Sequence, residues 1–398
     1  MQKVLVLSFN YEPSQFPKQP DDSARFFTYG FGPAFANLFH KYLKNYKIET
    51  WRVDSYCKEK YYEKEIDGLK YRVFKSFRIN KLGHFSRAFI KELKKECKKS
   101  SPIIFIVHTH NWQTYQIAYF LRGEKIITTH HGDWSPYFMY ETESGLKKLR
   151  ALLGIWAEKI TFKNIDYFLL CDYDEIPYVK KSAPLMKYII FSAGLDIGKF
   201  KIIPKDDARK QLGWDPDKKY LLYVGKLYKY KQIGELLDIW KDIRSSRPEV
   251  ELVLAGNEPE GSWGEEYYSM AKEYGAKIIG RVLNNELYKY YCASDVYVLM
   301  ALRKDNFGGI GIAPLESIAC NTPVVSYSLR NYLGPNADEI GETPASLDDY
   351  KTAILKVLDH RDEYKNLRQS VEEYYSYEAM AAHADGVFKE IMKKNMNN

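Results

Sequence analysis

Short apolar runs alternate with amphipathic helical stretches along almost the whole chain. Such alternation predicts parallel β-sheets flanked by helices, an α/β architecture. In the first half, strands are expected near Val4–Phe9, Ile48–Val53, Tyr71–Phe74, Ile103–His108, Lys125–Thr129, Tyr167–Cys171 and Tyr188–Phe191. The pattern lapses around Ser192–Pro204, which reads as a linker. It restarts with Tyr220–Val224, Glu251–Ala255, Lys277–Ile279, Val296–Met300 and Pro323–Ser326. Ile233, Leu236, Leu237, Trp240 and Ile243 fall at helical spacing and predict an amphipathic helix behind the first strand of the second half. Two Rossmann-like domains with a cleft between them are the simplest assembly, with ligands at the carboxyl ends of the strands.

Composition supports two domains, because 398 residues exceed one typical core. Hydrophobic residues make up 45% and charged residues 28%, as in a soluble globular protein. No apolar run reaches transmembrane length. Met1 opens directly into the strand-like run Lys3–Leu7, so no signal peptide is expected. The five cysteines are scattered without metal-type spacing, which points to a reduced, cytoplasmic setting and no metal site. A net charge of +7 suits an anionic ligand or membrane face better than nucleic acid. Lys81–Lys99 reads as a basic amphipathic helix. Phe85, Ala88, Phe89 and Leu93 lie on one side, with Arg87, Lys91, Lys94, Lys95, Lys98 and Lys99 around them. It is either a peripheral anchor on an anionic membrane or a solvated helix with a core stripe.

The stretch Asp305–Val325 carries the densest chemistry. An apolar run, Asp295–Met300, reads as the buried strand before it. Gly308, Gly309 and Gly311 then make a loop whose amides a ligand can approach closely. Pro314 suits the first turn of a short helix, Glu316 sits near its start, and Asn321 can end it in a left-handed cap. Strand, glycine loop, helix N-terminus and one carboxylate describe a nucleotide-diphosphate site: amides and dipole for phosphate, carboxylate for ribose hydroxyls. Lys226, just past a strand end, and Lys231, five residues on, form a basic loop that can clamp a diphosphate. His108 and His110 flank Thr109 at a strand end, and one of them is expected to be structural. His130 and His131, adjacent on a strand, point to opposite faces and do not share a metal. Asp133 and Trp134 are candidates for meeting an acceptor. Asp172 with Glu175 reads as a helix N-cap and capping box rather than a metal-binding Asp-x-Asp motif.

The order of these motifs resembles the retaining glycosyltransferases of family 4, which have the GT-B fold. The resemblance rests on Gly225-Lys226-Leu227 with Lys231, Leu252–Gly256, Gly280-Arg281-Val282 and Ala293–Val296. Gly308–Glu316 and Asn321–Val325 complete it. It is specific over Tyr220–Ser326 and weaker in the first half, where His108-Thr109-His110 and Thr129-His130-His131-Gly132 carry it. It implies two Rossmann-like domains facing each other across a cleft, with a C-terminal helix crossing back to the first. The domains would be 1–198 for the acceptor and 199–374 for the nucleotide sugar, followed by a returning helix, 375–398.

The resemblance also implies residue roles. Glu316 would hold the ribose. Lys226 and Lys231 would stabilise the diphosphate leaving group in place of a metal. The amides of Gly309, Ile310 and Gly311 would meet donor sugar or phosphate, and the Arg281–Val282 backbone would face the base. Gly32, in Gly30-Phe31-Gly32-Pro33 ahead of a helical run Ala34–Leu43, would bring a helix N-terminus to the diphosphate or acceptor. His110 would line the cleft near the reacting carbon. The implied partners are a nucleotide sugar as donor substrate and a glycan, lipid-linked or small-sugar acceptor. No separate cofactor and no nucleic acid are implied. Lys226 replaces the family's arginine, Gln232 a glycine, and Gly308 the first glutamate of a pair, with Asp305 the nearest carboxylate upstream. A sugar phosphorylase-like enzyme and a catalytically degenerate sugar-nucleotide-binding module are the rival readings.

Overall fold

The computed structural model describes the chain except residues 10–29, 80–82, 133, 228, 257–264, 301–307 and 395–398. Two compact units emerge, Met1–Ala193 with Met380–Asn398, and Gly194–Ala379. Their division lies at Ala193/Gly194 and Ala379/Met380, close to the sequence boundaries at 198 and 375. Leu195 accounts for the offset. Its amide donates to the Tyr375 carbonyl at 2.8 Å, and its carbonyl accepts from the Tyr377 amide at 3.2 Å. Both pairs fall inside the second unit, so 194–198 and 375–379 count with it.

The first unit contains strands β1 (Gln2–Ser8), β2 (Tyr46–Asp54), β3 (Tyr61–Ile66), β4 (Leu69–Lys75), β5 (Phe77–Ile79), β6 (Gly83–Phe85), β7 (Ile103–Val107), β8 (Lys125–Thr129), β9 (Tyr167–Leu170) and β10 (Tyr188–Ile190). Its helices are α1 (Phe31–Tyr42), α2 (Arg87–Ser100), α3 (Trp112–Phe120), α4 (Pro136–Thr142), α5 (Gly145–Thr161) and α6 (Ile176–Lys180). The main sheet runs β10-β9-β8-β7-β1-β2-β4-β3, parallel except for β3 against β4. Every residue of β7, Ile-Ile-Phe-Ile-Val, is buried, as a central parallel strand covered on both faces requires. The edge strand β3 and the β5–β6 ribbon are too exposed to show as apolar runs, and the sequence pattern misses them.

The second unit contains β11 (Lys219–Val224), β12 (Val250–Ala255), β13 (Lys277–Gly280), β14 (Val296–Leu299), β15 (Val324–Ser326) and β16 (Gly341–Glu342). Its helices are α7 (Lys205–Leu212), α8 (Ile233–Ser246), α9 (Glu265–Tyr274), α10 (Leu287–Ala293), α11 (Ile312–Ala319), α12 (Leu347–Asp359) and α13 (Leu367–Tyr375). The sheet order is β13-β12-β11-β14-β15-β16, parallel throughout. The chain steps outward from β11 to β13, then returns to β14 beside β11. That reversal opens a crevice at the carboxyl ends of β11 and β14, where Rossmann sheets take ligands. The predicted helix behind β11 is α8, and its five apolar positions, Ile233, Leu236, Leu237, Trp240 and Ile243, are all buried.

Helix α14 (Tyr377–Lys394) starts in the second unit, and from Met380 onward it belongs to the first. Phe388 packs against Phe39, Tyr46 and Phe105, and the Tyr46 hydroxyl donates to Asp385 at 2.8 Å.

Candidate active site

The second unit's reversal point is built from three touching strand ends. The Gly225 amide donates to the Ala255 carbonyl and the Gly256 amide to the Gly280 carbonyl, each at 2.9 Å. A Cβ on Gly256 would lie 2.0 Å from the Gly225 carbonyl oxygen, so only glycine permits this approach. Beyond these ends stand Lys226 and Arg281, both exposed. The Tyr223 hydroxyl donates to the Lys226 carbonyl at 2.9 Å and fixes the turn. Lys231 sits half-buried on a single turn before α8, and burial lowers its pKa.

Past β14, Gly309 and Gly311 adopt φ of 60° and 82°, the left-handed region that favours glycine. Gly311 is the N-cap of α11, so no side chain closes the helix's leading amides. Gly308 is exposed at the loop's start, and the Ser328 hydroxyl pins the loop by donating to the Ile310 carbonyl at 3.0 Å. Asn321 ends the helix at φ 59°, the left-handed cap expected of it. Glu316 projects from α11, and its Oε2 accepts from the Tyr291 hydroxyl at 2.8 Å. Burial pushes its pKa up to about 7, against the pull of that hydrogen bond. Tyr291 lies 6.0 Å from the Tyr297 ring, whose hydroxyl donates to the Val224 carbonyl at 3.4 Å. Two tyrosines thus link Glu316 to the strand end that carries Gly225 and Lys226. Val282 is half-buried beside Arg281. Asp305 lies outside the described residues.

In the first unit the structure separates the four histidines. The His110 ring has no exposed surface. Its Nδ1 lies 2.6 Å from Glu158 Oε1 and its Nε2 3.4 Å from Glu175 Oε1. Burial opposes its charge, yet Glu158 and Glu175 outweigh burial and raise its pKa to about 9. His130 Nδ1 lies 2.8 Å from Glu175 Oε2 and 3.2 Å from Cys171 Sγ, and its pKa also rises well above the ordinary value. Burial would raise the pKa of Glu175, but the two imidazoles hold it below the usual carboxylate value. His110 is therefore a buried ion-pair partner. The capping-box reading is corrected in the same place. Asp172 does cap, accepting from the Asp174 amide at 3.0 Å, while Glu175 turns inward to the histidines.

His131 points the other way. It stacks on Phe31, the first residue of α1, with ring centroids 4.0 Å apart, and lies 6.2 Å from the His108 ring. Gly30 is the N-cap of α1 at φ 96°, and the helix begins at Phe31, three residues ahead of the expected Ala34. A Cβ on Gly32 would sit 2.3 Å from Ser8 Cβ, so glycine lets the N-terminus of α1 rest on the end of β1. His108 holds φ 91°, rare for a residue with a side chain, with its carbonyl accepting from the Thr114 hydroxyl at 2.7 Å. The α1 N-terminus, His108 and His131 meet where β1 and β7 adjoin, the corresponding reversal of the first sheet. The opposite pointing of His130 and His131 is legible in the sequence; which of them faces outward is not. A cavity of about 260 Å³ is lined by His110, Arg78, Asn111, Trp112, Trp134 and Arg150 among others. Asp133 lies outside the described residues.

Helix α2 takes up the expected basic helix only from Arg87 onward: Gly83–Phe85 is strand β6, and Lys81 lies outside the described residues. Phe89, Leu93 and Cys97 are buried in the first unit's core, with Phe89 against Phe9, Trp51 and Phe74. Its apolar stripe is core, and its lysines are a solvated face.

These two Rossmann-like units define an α/β protein of the GT-B type. Residues 204–374 match the family described as Glycosyl transferases group 1. The chain is 24% identical over 285 residues to a D-inositol 3-phosphate glycosyltransferase of Actinosynnema mirum, across 68% of this chain and 64% of that protein. It thus spans just under two thirds of that relative's length. Among solved structures, sucrose-phosphate synthase from Thermosynechococcus elongatus superposes with a TM-score of 0.68 at 19% identity. That match covers 99% of this chain and all of the other. Anabaena HepE in complex with UDP superposes at 0.65 and 13% identity, over 98% of this chain and all of the other. At these identities the superpositions speak for the fold.

Proposed function

We propose that the protein is a retaining, metal-independent glycosyltransferase of the family 4 type. It would move a hexose-type sugar from a nucleoside diphosphate to a glycan, lipid-linked or small-sugar acceptor. The observation that carries this reading is that Glu316 lies on a helix with an uncapped N-terminus after β14, at the sheet's reversal, and is linked through Tyr291 and Tyr297 to the end of β11 that leads into Gly225 and Lys226. Glu316 takes the ribose hydroxyls. The amides of Gly309, Ile310 and Gly311 meet the phosphates or donor sugar, and Lys226 and Lys231 carry the diphosphate charge. The Arg281–Val282 backbone faces the base. Gly32 brings the N-terminus of α1 to the diphosphate or acceptor, and His131, in place of His110, takes the position beside it.

In the reaction, the acceptor oxygen bonds to the anomeric carbon on the face that the leaving phosphate vacates. The bond from that carbon to the phosphate oxygen breaks, and the acceptor proton passes to that oxygen. Negative charge grows on the diphosphate, and the two ammonium groups stabilise it where other transferases use a metal. HepE structures hold UDP-glucose and related ligands, which makes UDP-glucose the first donor to try.

The test is a screen of UDP- and GDP-sugars against carbohydrate acceptors, with NMR of the product's anomeric centre. Transfer with retained configuration is expected. Gly308, in place of a donor-side carboxylate, favours one second reading, a degenerate binding module. Donor binding without turnover across the screen would establish that instead.

A further inference from the structure

Helix α5 is inside out for a surface helix. It turns Ala151, Gly154 and Ala157 inward, with Glu158 and Thr161. Its solvent side carries Leu146, Leu149, Leu152, Leu153 and Trp156, at 85, 56, 44, 51 and 64% exposure. At 3.6 residues per turn, Leu146, Leu149, Leu153 and Trp156 fall on one stripe, with Leu152 along its edge. Lys148 and Lys159 border the stripe on one flank and Arg150 on the other, all exposed. The neighbouring acids are already engaged. Glu143 pairs with Lys147 at 3.0 Å, Glu141 with Lys181 at 2.8 Å, and Glu158 lies beneath the helix against His110. A contiguous apolar patch of this kind marks an interaction site, and its basic rim selects the partner's charge.

We propose that this face of α5 docks the protein on an anionic membrane surface. The leucines and Trp156 sit at the boundary between headgroups and acyl chains, and Lys148, Arg150 and Lys159 meet lipid phosphates. A second copy of the chain fits the face less well, because pairing the stripe with itself would bring like-charged flanks together. The membrane face is thus not α2, whose apolar stripe is buried. Arg150, Ala151 and Gly154 also line the 260 Å³ cavity, so the docked helix forms a wall of that cavity.

The test is co-sedimentation of the full chain with vesicles of phosphatidylglycerol and phosphatidylcholine, against phosphatidylcholine alone. The wild type should bind the anionic vesicles at least tenfold more strongly and release in high salt. The Leu149→Ser/Leu153→Ser/Trp156→Ser variant and the Lys148→Glu/Lys159→Glu variant should each lose at least tenfold. Their melting temperatures should stay put, since all five side chains are exposed. Lys94→Glu/Lys98→Glu on α2 should bind as wild type. Equal wild-type binding to both vesicles, or α5 variants that bind like wild type, would overturn the proposal. So would a dimer that the triple variant dissolves in a protein that ignores vesicles.

Discussion

The Tyr291 hydroxyl donates to Glu316 Oε2 at 2.8 Å and aims a half-buried carboxylate at the end of β11. That bond works against burial, which has already raised the Glu316 pKa to about 7. If Glu316 accepts from ribose hydroxyls as a carboxylate, donor affinity should weaken as pH falls through 7. The loss should be roughly tenfold between pH 8 and pH 6. Glu316→Ala should abolish calorimetrically detectable donor binding while leaving the melting temperature near that of wild type. Tyr291→Phe should move the pH midpoint upward, because it removes the contact that lowers the carboxylate's pKa.

Lys226→Ala and Lys231→Ala should each lower turnover by about 10²-fold, since both oppose charge that grows as the leaving group departs. Steady-state kinetics with and without EDTA is the measurement. Activity that falls with chelator and returns with a divalent ion would refute the metal-free mechanism.

The buried histidine network should give stability a pH signature. His110 holds its proton up to about pH 9, above the ordinary 6.5. Its contribution is complete below pH 6.5 and is lost as pH rises through 9. Glu175 is held below the ordinary 4.5, so its contribution is present above 4.5 and lost in acid. Stability from this network should therefore be greatest between about pH 4.5 and 6.5. Glu175→Gln should cost about 3–5 kcal/mol there, because it strips one partner from buried ion pairs. Urea titrations of both forms across pH 4 to 10 would measure it.

The outward candidate in the first unit, His131, can be separated from the buried pair His110 and His130. His131→Ala should lower turnover at least tenfold with little change in melting temperature. His110→Ala should show the reverse priority, losing stability first. If His110→Ala folds normally and loses only turnover, the assignment of His131 falls.

Gly308→Glu should change donor preference or impair activity. It sets a new negative charge at the loop that precedes the uncapped α11 amides, without groups shaped to hold it. Competition between UDP-glucose and other nucleotide sugars, in variant and wild type, would read the change.

The strands that bury both faces were legible from apolar runs alone, because a central parallel strand leaves no polar alternation. The glycine loop, the Asn321 cap and α8 were legible too, since left-handed backbone and a helical stripe each demand particular residues at fixed offsets. The edge strand β3 was not, for solvent lets its residues be anything. Tertiary packing alone sets which face each polar or apolar side chain meets. Period-two alternation separates His130 from His131 without saying which is inside; Glu175 and Cys171 settle that by closing on His130. The core of the first unit accepts the stripe of α2 and, on α5, only the small residues, which leaves its leucines and Trp156 in water. Sequence carries periodicity, but the direction of a periodic face is fixed by what the neighbouring elements have room to bury.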